Sequence, residues 1–305
     1  MTIVAAGTLG LLTGLHAATW GAYKDSPFEG FRWRSYLRSI GVGATLALLV
    51  AMTTHLENSQ SAVVLVGLFY TMERLSTEWW KTFVRDDDQS AYSIPMRLGY
   101  RGRPVDNHRI RHAVGVTFAV GLAVACWAVA ETQLLLPVLP HWTLVVVGGV
   151  GGWLTAFGGA WKDAPVEGFS GWKFLRSPVV ATAWALPLSY ITDQWVLLAL
   201  VSGGFAVASI ETYKTFLTGG RPPGKFADKP PLFQLPATRR LLALFHAGLW
   251  ATLALTLIVQ LAGKVQGLTW VNIAGATPHI AVLVIAGLSA AASALALGGH
   301  VRTPR

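Results

Sequence analysis

Long apolar runs, with no strict alternation, dominate the chain. Stretches of about 18 or more residues with few charges recur at roughly 2–23, 35–55, 61–83, 111–131, 141–161, 177–192, 194–217, 240–262 and 278–298. A run of this length crosses a hydrocarbon core of about 30 Å as an α-helix. A spanning β-strand would instead alternate apolar and polar positions over about ten residues, which these runs do not do. With no water inside a bilayer, an open strand edge would leave backbone donors and acceptors unpaired. The pattern therefore predicts an all-α integral membrane protein, a polytopic bundle of about nine transmembrane helices. The first run lacks the basic flank of a secretory signal and its apolar stretch is long, so it is read as a span.

Between the runs, charged phrases repeat. GAYKDSPFEGF at 21–31 returns as GAWKDAPVEGF at 159–169, and the match extends to eleven identities in nineteen positions over 21–39 and 159–177. At the same offset of 138, Gly10 and Gly14 correspond to Gly148 and Gly152, both pairs with the GxxxG spacing that lets helices approach closely in lipid. A second echo pairs EWWKTF at 78–83 with ETYKTF at 211–216, and a third pairs His112 with His246. Four crossings separate the two KDxPxEGF boxes, so the repeat is expected to be parallel. The expected organisation is a first four-helix repeat over 1–131 and a second over 132–263, with an extra helix and short tail over 264–305. The boxes fall at 24–31 and 78–83 in the first repeat, and at 162–169 and 211–216 in the second. The GxxxG faces of spans one and five are expected to form a central contact.

Composition agrees with the pattern. The chain has 305 residues, 53% hydrophobic and 13% charged, with a mean hydropathy of +0.48. That is too apolar for a soluble protein of this length. The single Cys126 lies within the fourth run and excludes an intrachain disulfide.

Charge then orients the chain. If nine runs cross, every Lys and Arg outside the spans except Lys264 lies on one side, together with the C-terminus. The positive-inside rule makes that side cytoplasmic, which predicts a multi-pass protein of the plasma (inner) membrane with its N-terminus outside. The formal net charge of +9 is accounted for by basic residues at span ends, where each gains about 1 kcal/mol from anionic inner-leaflet headgroups. Membrane lipids are thus the expected partners, with other membrane subunits a further class. Nucleic acid is disfavoured, because the long loop at 84–108 offsets its cations with Asp86, Asp87 and Asp88.

Two readings of the boxes are open. In one, Asp25 and Asp163 cap a helix N-terminus, Pro27 and Pro165 occupy its first turn, and Glu29 and Glu167 favour the positive end of the dipole. In the other, Lys24 and Lys162 bind an anionic headgroup or substrate, while Asp25, Glu29, Asp163 and Glu167 hold them or form a cytoplasmic gate. Glu78 with Lys81, and Glu211 with Lys214, are spaced three apart on a helix, where side chains meet. Glu73 and Arg74 lie a turn deeper, and Arg74 can reach Glu78 at i+4. His16 reads as a lone packing residue within span one. His112 and His246 are weak metal candidates, with Asp25, Glu29 and Glu78 as possible co-ligands. The short sixth run is interrupted by Pro187, with Pro178 at its start, as broken spans at transporter sites are.

No Walker loop, HExxH, GxSxG or paired CxxC is present, and nothing identifies a cofactor. A non-enzymatic role is expected. Internal duplication favours a transporter or a carrier of lipids or anions with a pseudo-twofold cytoplasmic gate. The alternatives are a non-catalytic subunit of a larger membrane complex binding lipid, quinone or pigment, and an intramembrane enzyme acting on a phosphorylated lipid, with Asp25, Glu29, Glu78 and His112 as its acid, base or metal ligands.

Overall fold

The computed structural model describes residues 2–56, 59–136, 141–218, 222–263 and 301–302. Within them lie eight α-helices: α1 (Ile3–Glu29), α2 (Trp33–Thr54), α3 (Ala62–Trp79), α4 (His108–Leu135), α5 (His141–Glu167), α6 (Gly171–Leu188), α7 (Trp195–Thr212) and α8 (Pro236–Ala262). Both α3 and α7 run directly into a five-residue π-helical turn, over Trp80–Val84 and Tyr213–Leu217. A short hairpin, β1 (Gly99–Tyr100) with β2 (Arg103–Pro104), interrupts the long loop, and β3 (Phe233–Gln234) pairs with β4 (Val301–Arg302). Six helices are long and apolar enough to span a membrane: α1, α2, α4, α5, α7 with its π turn, and α8. Of the remaining two, α3 carries Glu73, Arg74 and Glu78, and α6 begins with Lys173 and Arg176. The ninth apolar run, 278–298, lies outside the described residues.

Helix ends follow from local chemistry. Thr2 accepts the Ala5 N–H at 3.2 Å to start α1, and Asn107 accepts from Arg109 at 2.9 Å to start α4. The ends of α1 and α5 correct the sequence reading. Both KDxPxE segments belong to the last two turns of the preceding span helix, and the glycines at Gly30 (φ 73°) and Gly168 (φ 83°) stop those helices. A left-handed residue at this place costs glycine nothing, and the Gly30 N–H closes the end by donating to the Ser26 carbonyl at 2.9 Å. Asp25 and Glu29 therefore face the negative end of a helix dipole, so cations must offset them. The residues after the box begin the next long helix, α2 or α6.

Chain contacts divide the molecule into two compact units, one of Met1–Glu73, Glu211–Arg221 and Lys229–Arg305, the other of Arg74–Ile210 and Pro222–Asp228. In the first unit α1 buries Ala6, Thr13, His16 and Thr19, and α3 contributes Val64, Leu65 and Phe69. A Cβ on Gly10 would stand 2.4 Å from the Gly43 carbonyl oxygen and 2.4 Å from Ala47 Cβ. One on Gly14 would stand 2.2 Å from the Ser39 carbonyl oxygen. The GxxxG face of α1 is thus filled by α2, which corrects the expected contact with span five.

The second unit repeats this contact. A Cβ on Gly148 would meet Ala185 Cβ at 2.3 Å, and one on Gly152 would meet the Ser177 carbonyl oxygen at 2.5 Å. Ser177 and Ala185 follow Ser39 and Ala47 by 138 positions, and the bounds of α5 follow those of α1 by the same number. The bounds of α7 and its π turn follow those of α3 and its π turn by 133. The core of the second unit is completed by Leu198, Val201 and Phe205 of α7, with Trp184 stacked on Phe205 and donating to Ser209 Oγ at 2.8 Å.

Adding a methyl group at either close approach forces two backbones apart. Gly14→Ala and Gly152→Ala are each expected to destabilise the folded state by about 1–3 kcal/mol. Gly21→Ala, where a Cβ meets nothing within 4 Å, leaves stability unchanged or slightly raised. Thermal unfolding in mild detergent measures all three.

Candidate functional site

The charged residues singled out in the sequence gather into two clusters, one in each unit. In the first, Lys24 near the end of α1 donates from Nζ to Glu211 Oε2 at 2.9 Å, and Lys214 in the π turn reaches Glu211 Oε1 at 3.1 Å. One carboxylate, 17% exposed, thus bridges two ammonium groups. Lys24 also lies 4.8 Å over the Trp20 ring. Arg239, at the start of α8, lies 4.2 Å over Tyr23.

In the second, Arg74 donates to Glu78 Oε1, and Lys81 Nζ donates to the same oxygen at 3.0 Å. Lys162, near the end of α5, attracts the Glu78 carboxylate as a further positive neighbour. Lys225 acts electrostatically on Lys81. The Lys225 loop is pinned by Ser93, whose N–H donates to the Lys225 carbonyl at 2.9 Å and whose hydroxyl bonds Asp228. Gly224 permits this approach, since a Cβ there would stand 2.8 Å from Glu167 Oε1.

These clusters have the same plan. The KD lysine of one sequence repeat serves the ExxK glutamate of the other: Lys24 with Glu211, Lys162 with Glu78. The box acids were expected to hold these lysines, and the ion pairs of the box glutamates are with other cations. Glu29 pairs with Arg32 at 3.4 Å and Glu167 pairs with Lys173, both local partners beyond the helix end. Asp25 and Asp163 lie one turn before those glutamates within the same helices. Glu73 is fully buried on α3.

Charge decides what each cluster can do. Glu211 pairs with both Lys24 and Lys214, and Glu78 pairs with both Arg74 and Lys81 and has Lys162 as a further electrostatic neighbour, so several cations converge on one carboxylate in each. An anion with several oxygens, such as a phosphate, fits such a convergence of cations. The long loop is different. Arg85 pairs with Asp87 at 2.9 Å, Arg97 with Asp86 at 3.3 Å and Asp106 at 3.1 Å, and the buried Arg111 with Asp86 at 3.3 Å. Ser90 donates to Asp88 through its hydroxyl and amide, which holds that carboxyl below its ordinary range. These cations are engaged by the loop's own acids.

The metal reading is corrected as well. Among the described residues no group of three or more His, Cys, Asp or Glu side chains is placed to hold a metal ion. Glu78 is occupied by cations, and His112 lies exposed in the first turns of α4, 6.1 Å from His108 between ring centroids.

His246 has a neighbour the sequence reading missed. Its ring centroid lies 4.3 Å from that of His16, and both residues are buried. A signal was present in the depth of the two residues. His16 precedes the end of α1 by thirteen positions and His246 follows the start of α8 by ten, so at about 1.5 Å per residue they sit at similar depth from the same helix ends.

No known family model matches the chain, and no curated protein sequence or solved structure does either.

The Lys24–Glu211 pair joins groups 187 positions apart, so its strength is open to a direct test. A double-mutant cycle with Lys24→Gln and Glu211→Gln is expected to give a coupling energy of about 0.5–3 kcal/mol, read from reversible unfolding in mixed detergent.

Proposed function

We propose that the chain is a carrier of anionic ligands, with phosphate-bearing lipid headgroups as its substrate class, and that the two lysine–glutamate clusters are its binding sites and gates. The observation that carries this reading is a carboxylate shared by several cations in each unit: Glu211 pairs with Lys24 and Lys214, and Glu78 pairs with Arg74 and Lys81, with Lys162 as a further electrostatic neighbour. An anion entering either cluster competes with the glutamate for the lysines, which gives each cluster two arrangements, one closed on its own carboxylate and one open on the ligand. The π turns add support, because such turns within helices are frequent at functional sites, and Lys81 and Lys214 sit inside them.

The reading places nine spans in the plasma membrane in a parallel 4+4 arrangement plus one helix, with both clusters cytoplasmic and the N-terminus outside. The basic residues at helix ends support this orientation. The displacement of 138 or 133 positions that relates helix bounds and glycine contacts supports the repeat.

A second reading rests on α4. It is tied at one end by Trp79 Nε1 donating to the Gly115 carbonyl at 2.9 Å, and at the other by the Trp195 N–H donating to Gln133 Oε1 at 2.9 Å. Between these ties Val116, Phe118, Val120, Val124 and Trp127 are exposed. A subunit of a larger membrane complex would use such a face against another chain. Particle mass in native-lipid discs separates the readings, because a carrier acting alone gives particles holding copies of this chain only.

The carrier reading is tested with the Lys24→Gln, Lys162→Gln double variant. Reconstituted protein is expected to move fluorescent phosphatidylglycerol across phosphatidylcholine vesicles. Loss of two charge-assisted contacts, each worth about 1.5–3 kcal/mol, should slow that movement about tenfold or more with the fold intact. Unchanged movement in the double variant sinks the proposal.

A further inference from the structure

The buried imidazoles of the first unit are not used by the lysine–glutamate clusters, and their surroundings are unlike those of a packing residue. His16 on α1 is 3% exposed and His246 on α8 is 2% exposed. Their ring centroids stand 4.3 Å apart with planes tilted by 39°. His246 Nε2 bonds Thr212 Oγ1 at 2.8 Å, and Trp250 Nε1 donates to the same oxygen at 2.9 Å. The other three ring nitrogens, both of His16 and Nδ1 of His246, have no hydrogen-bond partner among the described residues. Buried polar atoms of this kind are costly when left without partners.

Aromatic rings surround the pair. Phe216 stacks on His246 at 4.6 Å, Trp250 meets His16 at 5.2 Å and Tyr70 meets it at 5.4 Å. All lie within the roughly 6 Å over which a ring attracts a cation. The charged groups carried by the elements around the pair are Lys24, Asp25 and Glu29 on α1, Glu73, Arg74 and Glu78 on α3, Glu211 at the end of α7 with Lys214 in the turn that follows, and Arg239 and Arg240 on α8. The charge on His246 acts on His16. The site thus provides an aromatic box around two facing bases. Such a box accommodates one delocalised positive charge. It opposes two, since adjacent imidazolium rings repel.

We propose that His16 and His246 form a binding site for a single proton shared by the two rings, and that this proton accompanies the anion through the carrier. The proton enters from water, adds to one ring nitrogen, passes to a nitrogen of the other ring after a small rotation and returns to water. No other bond forms or breaks. Lys24 lies eight residues from His16, about 12 Å along the helix, so a charge on the pair adds to the positive field of the Lys24 cluster and favours an incoming anion. By reciprocity, a bound anion favours the proton. The coupling half of this inference rests on the carrier reading, and the proton site does not.

The first experiment counts protons. Full-length protein in phosphatidylcholine discs is acidified from about pH 8 to about pH 4, the range over which imidazoles change charge, and uptake is compared with that of the His16→Phe, His246→Phe double variant. Wild type is expected to take up one proton more than the variant. A difference of none or of two overturns the shared site. If the double variant does not fold, nitrogen NMR of histidine-labelled wild type gives the same count. Stoichiometric binding of Zn²⁺ that the double variant lacks also overturns the proposal and makes the pair a metal site.

The second experiment concerns coupling. A pH gradient is expected to accelerate phosphatidylglycerol movement by wild type and to leave the double variant unaffected. Movement that ignores the gradient overturns coupling while leaving the carrier standing. Absence of any movement by wild type removes the carrier reading, and the proton count still decides the site.

Discussion

Backbone contact between neighbouring helices is the constraint on which the rest of the structure depends. In lipid, helices gain nothing by hiding apolar side chains from a solvent that is itself apolar, so close packing must supply the attraction. Gly10 and Gly14 supply it to α1 and α2, and Gly148 and Gly152 to α5 and α6. The approach is so close that any side chain at these positions would overlap the neighbouring carbonyl oxygen or methyl group. Each helix pair is thereby fixed in register, and the register sets the place of Lys24 and Lys162 two or three turns further along.

From that register the charge pattern follows. A lysine at the end of α1 or α5 stands beside a glutamate at the end of a helix far away in sequence. The glutamates of the same box pair with local cations beyond the glycine that ends the helix. The clusters are therefore products of tertiary packing, although each residue in them belongs to a short repeated phrase. Several cations around one carboxylate are tolerable at a helix end. They would be costly at the depth of His16, where aromatic rings are the available counterweight to charge.

Much of this was legible in the chain. The apolar runs placed the eight described helices to within about six residues at either end, since a bilayer demands continuous apolar length and little else. The phrases picked out Lys24, Lys162, Glu78 and Glu211, because polar residues repeated among drifting neighbours are visible without any structure. What could not be read was partnership. Aspartate followed by proline suggests the start of a helix, yet here both lie at an end, and the deciding residue was the glycine three places beyond the proline. The filling of the α1 glycine face by α2 was equally hidden, for GxxxG names a close approach without naming the neighbour. His16 appeared solitary because its partner lies 230 positions later and has no counterpart of similar surroundings in the other repeat.

The π turns have a consequence for chain length. Each uses a wider turn than an α-helix, which amounts to one residue beyond what α-helical geometry would need. Deleting that residue would return the segment to α-helical winding and carry all that follows around the axis by about 100°. The long loop after Trp80–Val84 and the proline-rich loop after Tyr213–Leu217 would then leave their helices in a different direction. The surplus residue acts as an angular spacer, setting the bearing on which each basic loop departs.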